Sequence, residues 1–326
     1  MAERRPRVVI TDVDFPSTEI ERRELAAVDA EVIVGQCATE DDVVELCADA
    51  DGIILQYAPI TRRVIAHLDR CRVLSRYGIG VDTIDVQAAT ERGIWVCNAG
   101  DYCRAEVAEH AMALLLALGR RLFALDRSVH AGIWNTVGAM GPAPRLQGQT
   151  LGLIGFGTIG REVAARARAF GLRLLTYDPV VTPELAAEHG AELVTLDDLL
   201  ARSDFVSLHC PLIRQTHHLI DATTLRQMKP TAFLVNTSRG GLVDQPALAE
   251  ALRAGMIAGA AVDVLEKEPI DRDDPLLDLP NAIITPHAAF YSADSLEELQ
   301  KRTALNVVAA LRGERPPWAL NKLGGA

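Results

Sequence analysis

The sequence has no apolar run long enough to cross a bilayer: its most apolar stretch, Ala111 to Gly119, is far shorter than the roughly 20 residues a spanning helix needs. No transmembrane segment is expected. It also lacks an excess of positive charge, with 33 Lys and Arg against 44 Asp and Glu and a formal net charge of -11. Nucleic-acid binders concentrate cations on one surface, so direct binding to DNA or RNA is not expected. The six cysteines (Cys37, Cys47, Cys71, Cys97, Cys103 and Cys210) include no C-x-x-C pair, and the eight histidines are not clustered at ligand spacing. The thiols read as small core residues, and no metal site is expected. The opening MAERRPRVVI is basic but has neither the apolar core nor the cleavage site of a secretory signal, which points to the cytoplasm.

What is present suits a soluble two-domain protein: 326 residues, 49% apolar and 24% charged, enough for two buried cores. The first hundred residues alternate short apolar runs (RVVIT, EVIVG, GIILQ, RVLSR, GIWVC) with amphipathic stretches such as DDVVELC and Arg62–Leu68. Strand and helix in this alternation imply parallel strands with crossover helices. The break Tyr77-Gly78-Ile79-Gly80 follows a strand, at the carboxyl edge where such sheets bind ligands. Residues 105–125, AEVAEHAMALLLALGRRLFAL, are apolar on nearly every side and predict one long covered helix, a link between domains and a subunit contact in a homodimer. A Pro/Gly-rich loop is expected from Ala139 to Gln147.

A second alternation opens at Thr150 with TLGLIGFGTIG, where Gly155, Gly157 and Gly160 complete G-x-G-x-x-G between a strand and a helix. In that setting the glycines allow a tight turn and close approach of a pyrophosphate to the helix amino end, the dinucleotide fingerprint. Asp178 ends the next strand, 18 residues past Gly160, where an acid receives the ribose hydroxyls and repels a 2'-phosphate, so NAD is expected over NADP. The last helix, from Ala293 to Arg312, has no sheet of its own to complete and is expected to return to the first domain.

Three later segments, Asn236-Thr237-Ser238-Arg239-Gly240-Gly241, Asp263-Val264-Leu265-Glu266-Lys267-Glu268-Pro269 and Thr285-Pro286-His287-Ala288-Ala289, each follow a strand and should gather a cation, an acid and an imidazole at one sheet edge. On these motifs, over essentially its full length, the chain resembles the D-isomer-specific 2-hydroxyacid dehydrogenases, closest to the C-terminal-binding-protein and phosphoglycerate dehydrogenase branches. The resemblance implies two Rossmann-like, doubly wound α/β domains with the active site in the cleft between them: a flavodoxin-like substrate domain, 1–101 completed by 293–326, and an NAD domain, 102–292. It implies Arg239, Glu268 and His287 as the catalytic set, acting on a small 2-keto or 2-hydroxy acid.

The chemistry agrees with that implication. Reducing a keto acid builds negative charge on oxygen, which calls for a cation and a proton donor. Arg239 would polarise the carbonyl, His287 would give the proton, and Glu268 would favour the protonated ring and orient it. By the same resemblance the turn of Arg76, Tyr77, Gly78, Ile79 and Gly80 binds the substrate carboxylate, and Thr158, Ile159, Cys210, Pro211, Thr237, Ser238 and Asp263 join the cofactor contacts. Glu266 is close enough in sequence to be mistaken for Glu268, and the other seven histidines, His110 among them, read as structural. Phosphoglycerate oxidation would need extra cations, for which Arg62 and Arg63 are the candidates, and an NAD(H)-sensing scaffold is the non-enzymatic alternative.

Overall fold

The computed structural model describes residues 4–141 and 143–324. It divides into two compact units, Met1–Tyr102 with Ser292–Ala326, and Cys103–Tyr291. In the first, the chain runs β1 (Arg7–Ile10), α1 (Glu19–Leu25), β2 (Glu31–Val34), α2 (Glu40–Cys47), β3 (Gly52–Leu55), α3 (Arg62–Ala66), β4 (Val73–Arg76), α4 (Val86–Glu91) and β5 (Trp95–Cys97). All pairings are parallel in the order β2-β1-β3-β4-β5. Central β3 is buried at every residue, as a strand covered by helices on both faces must be.

The second unit comprises α5 (Arg104–Gly119), α6 (Leu122–His130), α7 (Thr136–Met140), β6 (Thr150–Ile154), α8 (Thr158–Ala169), β7 (Arg173–Tyr177), α9 (Pro183–Glu188), β8 (Ala191–Leu193), α10 (Leu196–Arg202), β9 (Phe205–Leu208), α11 (Ala222–Gln227), β10 (Phe233–Asn236), α12 (Gln245–Arg253), β11 (Gly259–Val262) and β12 (Ala282–Ile284). Its seven parallel strands lie in the order β12-β11-β10-β9-β6-β7-β8. The order reverses between β6 and β9, which opens a crevice at their carboxyl ends.

The long helix expected over 105–125 is two helices. The chain turns at Arg121, whose φ is 53°. Its guanidinium lies 4.8 Å over the Phe233 ring and donates to the Ala258 carbonyl. Those contacts fix a left-handed residue that the local sequence does not favour. Before the break α5 is buried on most sides against α8, β10 and β11; after it α6 has no buried residue. The expected loop at 139–147 begins after α7, which includes Ala139, and its Pro142 lies outside the described residues.

The closing helix α13 (Ala293–Leu311) starts at a Ser292–Ser295 capping box and packs on α1, β3 and β4. Inside the first unit Asn306 Nδ2 donates to Ser75 Oγ and the Asn98 carbonyl, and Ser75 Oγ donates to the Thr303 carbonyl. Buried polar groups paired this completely hold the helix in one register.

Candidate active site

The glycine turn after β6 shows why each glycine is there. Gly155 has φ 93°, and a Cβ on it would meet the backbone of His209 and Cys210 at 2.6 Å, so β9's exit can pass directly behind the turn. A Cβ on Gly160 would meet the Gly155 carbonyl oxygen at 2.3 Å, so the first turn of α8 can seat on the strand end. Gly157 faces open space. No side chain caps α8, whereas α9, α10, α11 and α12 all carry side-chain caps. An amino end with bare N–H groups and room beside it is a built anion seat.

Around this turn stand the other cofactor candidates. Asp178, at the end of β7, accepts from Phe156 N at 2.8 Å and Val180 N at 3.0 Å, which aims its carboxylate across the turn. Thr237 is buried after β10 with an Oγ that has no partner, an orphan that a bound nucleotide can satisfy. Ser238 donates its hydroxyl to the Leu208 carbonyl and so ties the β9 and β10 exits together. Thr158 and Pro211 are exposed, and Ile159 and Cys210 are half-buried; burial pushes the Cys210 thiol up to about 11. The residues present fit NAD.

Beyond β10 the chain presents Arg239 in extended conformation, and Asn236 Nδ2 holds its carbonyl. A Cβ on Gly240 would fall within 1.9 Å of the Leu265 backbone, so glycine lets this turn press on the loop after β11. In that loop Glu268 Oε1 accepts from Leu265 N at 2.9 Å, and its Oε2 lies 2.7 Å from His287 Nδ1. Burial raises the Glu268 carboxyl, but the hydrogen bond and charge of His287 and the Leu265 N–H outweigh it and hold the group below the usual glutamate value. A carboxylate only accepts, so Nδ1 carries the proton of this contact. Glu266 instead pairs with His218 at 2.7 Å, which separates the two glutamates.

His287 itself has φ 52°, a strain of about 1 kcal/mol or more for a non-glycine residue. Its N–H donates to the Asp263 and Thr285 carbonyls. Asp263 is fully buried and receives the Thr285 hydroxyl and the Ala288 and Ala289 N–H groups. Burial raises its carboxyl, yet bonds from His110, Thr285 and these amides hold it below its ordinary value. Sequence reasoning left His110 as a structural residue; its Nε2 stands 3.0 Å from Thr285 Oγ.

In the first unit, Arg76 ends β4 and donates from Nε to the Gln56 carbonyl. Its guanidinium lies so close over Gly78 that a Cβ there would meet Nη1 at 2.0 Å, and Gly78 has φ 127°. The carbonyls of Gly78 and Ile79 accept from Ala99 N and Asn98 Nδ2, which fixes the turn against the segment after β5. Tyr77 departs from the expectation of a substrate contact. Its side chain is 2% exposed, its hydroxyl donates to buried Glu21 at 2.6 Å, and its N–H belongs to the sheet. Tyr77 anchors the turn from below.

Residues 112–289 match the family model for the D-isomer specific 2-hydroxyacid dehydrogenase, NAD binding domain. The chain belongs to the D-isomer-specific 2-hydroxyacid dehydrogenases. It is 44% identical over 285 residues to a glyoxylate reductase of Korarchaeum cryptofilum, covering 86% of this dehydrogenase and 85% of the relative. It is 41% identical over 278 residues to a D-3-phosphoglycerate dehydrogenase of Mycobacterium leprae, covering 85% of this chain and 52% of that one. Among solved structures, D-lactate dehydrogenase of Aquifex aeolicus in complex with NAD and lactic acid superposes with a TM-score of 0.86 at 31% identity, covering 94% of this chain and 96% of the other. This dehydrogenase is an NAD-dependent enzyme that moves a hydride between nicotinamide and C2 of a small 2-hydroxy or 2-keto acid. Among the described residues no helix is long and apolar enough to cross a membrane.

Proposed function

We propose that the enzyme reduces a small unphosphorylated 2-keto acid, with Arg239, Glu268 and His287 as its catalytic set. The observation that supports this reading is the 2.7 Å contact between Glu268 and His287 Nδ1, which leaves Nε2 as the ring nitrogen to act as the acid. When bound, NADH supplies the hydride that reduces C2. Arg239 polarises the carbonyl as charge builds on its oxygen, and His287 Nε2 delivers the proton that turns that oxygen into a hydroxyl. In the reverse direction the same nitrogen takes the proton back. Gly155, Gly157, Thr158, Ile159, Gly160, Asp178, Cys210, Pro211, Thr237, Ser238 and Asp263 hold the cofactor, with Asp178 selecting NAD over NADP.

The substrate carboxylate goes to Arg76 and the N–H groups of Gly78, Ile79 and Gly80. The charge inventory supports an unphosphorylated acid. In the first unit the segments that follow β1, β3, β4 and β5 carry Asp12, Asp14, Asp82, Asp85 and Asp101, with Arg76 at the end of β4 as the cation beside them. The two arginines considered for a phosphate are engaged elsewhere: Arg62 pairs with Glu91 at 2.7 Å, and Arg63 pairs with Glu40 and Asp41. One cation matches one carboxylate; these segments of the first unit carry no second cation to meet a phosphate.

NADH oxidation followed with glyoxylate, hydroxypyruvate and phosphohydroxypyruvate tests this. The unphosphorylated acids should give the higher kcat/KM, and a preference for phosphohydroxypyruvate would reject the assignment. Absence of turnover with every keto acid, alongside NADH-dependent association with a partner, would favour a scaffold.

The working form is proposed to be a cytoplasmic homodimer. The free state of all six cysteines accords with a reducing compartment. Leu122, Phe123 and Val129 of α6 are about half exposed, and Trp134 beyond it is 90% exposed, an apolar surface that a second copy would cover. Trp134→Glu should shift the sedimenting species from dimer to monomer; an unchanged dimer would place the interface elsewhere.

A further inference from the structure

Buried Asp263 pins both sides of the turn that carries His287. Its Oδ1 accepts from Thr285 Oγ at 2.5 Å and from Ala288 N at 2.9 Å, and its Oδ2 accepts from Ala289 N at 2.9 Å. Its carbonyl takes the His287 N–H at 2.8 Å. A left-handed histidine persists only where its surroundings over-determine it, and these four bonds do so.

The Thr285 hydroxyl has one proton, and its carboxylate neighbour can only accept, so that proton goes to Asp263. The 3.0 Å contact between Thr285 Oγ and His110 Nε2 must then be donated by the ring. The same Nε2 is 3.4 Å from Asp263 Oδ1. His110 thus brings a further N–H to an acid already bound to its turn, and it brings it from α5, a helix packed on β10 and β11 whose residues after His110 are all apolar or glycine. A polar ring on such a helix, tied to two residues more than 150 positions away, fixes where the turn sits relative to the sheet.

We propose that His110 is a positioning residue for hydride transfer: its Nε2–H locks the Thr285–Asp263 pair and thereby sets the orientation in which Glu268 and His287 meet the substrate. It rests on the reading of His287 as the acid, and it assigns His110 no contact with reacting atoms. Loss of the lock should loosen the turn and act chiefly on the chemical step: Asp263 keeps its bonds from Thr285, Ala288 and Ala289, and the glycine turn and Asp178, on other strands, carry most of the hold on the cofactor.

The test uses His110→Phe, which keeps a ring and removes the donor, and His110→Gln, which restores an N–H at similar reach. With glyoxylate, His110→Phe should lower kcat about tenfold, in line with small misplacements of catalytic groups. NADH affinity, read by fluorescence, should fall far less than kcat, and His110→Gln should recover most of kcat. Wild-type kcat in His110→Phe, no recovery in His110→Gln, or a parallel fall in NADH affinity would each overturn the assignment. Should His110→Phe fail to fold, the isosteric Thr285→Val breaks the same chain of bonds, and a wild-type kcat there overturns it equally. His287→Ala, measured alongside, separates the two ideas. Full activity in His287→Ala removes the acid itself, whereas an inactive His287→Ala beside a fully active His110→Phe removes the role of His110 alone.

Discussion

Each sheet ends one strand in a glycine turn at its carboxyl edge, and the two turns are charged by different means. After β6 the chain enters α8 at once, and the helix amino end is left uncapped. After β4 the next helix waits until Val86 and is capped by Asp85, whose Oδ1 accepts from Ala88 N. There the positive charge is a single guanidinium, Arg76, laid over Gly78. A helix dipole spreads partial charge over several N–H groups and suits a diphosphate. A guanidinium is one whole charge with planar donors and suits a carboxylate. On the proposed reading one strand-end device serves two ligands, and the source of charge separates them.

If that division is right, substitutions on the two edges should fail in different ways. The largest effect belongs to the chemistry of the second unit: His287→Ala should lower kcat on the order of a thousandfold while NADH still binds, as loss of a general acid does. Stopped-flow turnover with NADH fluorescence checks both halves. Next comes Gly157→Val. The space beside Gly157 is open, so the protein itself should accept the side chain. The cofactor should not, and NADH affinity should fall roughly tenfold to a hundredfold, as overpacking costs in a fitted site. Arg76→Met should raise KM for the keto acid about tenfold or somewhat more, the worth of a charged hydrogen bond, without touching NADH affinity. A loss of NADH binding in Arg76→Met would erase the contrast between the turns.

The smallest effect is on stability. The Glu268 carboxyl is held below its ordinary 4.5 in the folded protein, so its pairing stabilises the fold above that value and is lost as pH falls through the lowered one. The difference in Tm between wild type and Glu268→Gln should therefore be constant near neutrality and shrink below pH 4.5. A difference that grows in acid would mean that the carboxyl is raised.

The parallel strands could be read from the sequence because their apolar runs are short, regular and punctuated by turns, and so could the placement of the Arg239, Glu268 and His287 segments after strands. What escaped depended on distant partners. The break at Arg121 is held by Phe233 and Ala258, far along the chain. Tyr77 reads as part of a binding turn until its hydroxyl is seen on Glu21. His110 carries no local signal, since its partners lie on the loops after β11 and β12. The two neighbouring glutamates differ in the same way: Glu266 meets His218 and Glu268 meets His287.

The return of α13 to the first unit bears on the order in which the protein is made. Domains generally fold as units while the ribosome delivers them. Here the unit begun first waits for residues 292 onward, synthesised after the whole of the contiguous second unit. Until then β3 and β4 lack the helix that covers them. The nascent chain therefore completes its nucleotide unit before the other one, and the amino-terminal sheet is the surface that a chaperone would have reason to shield.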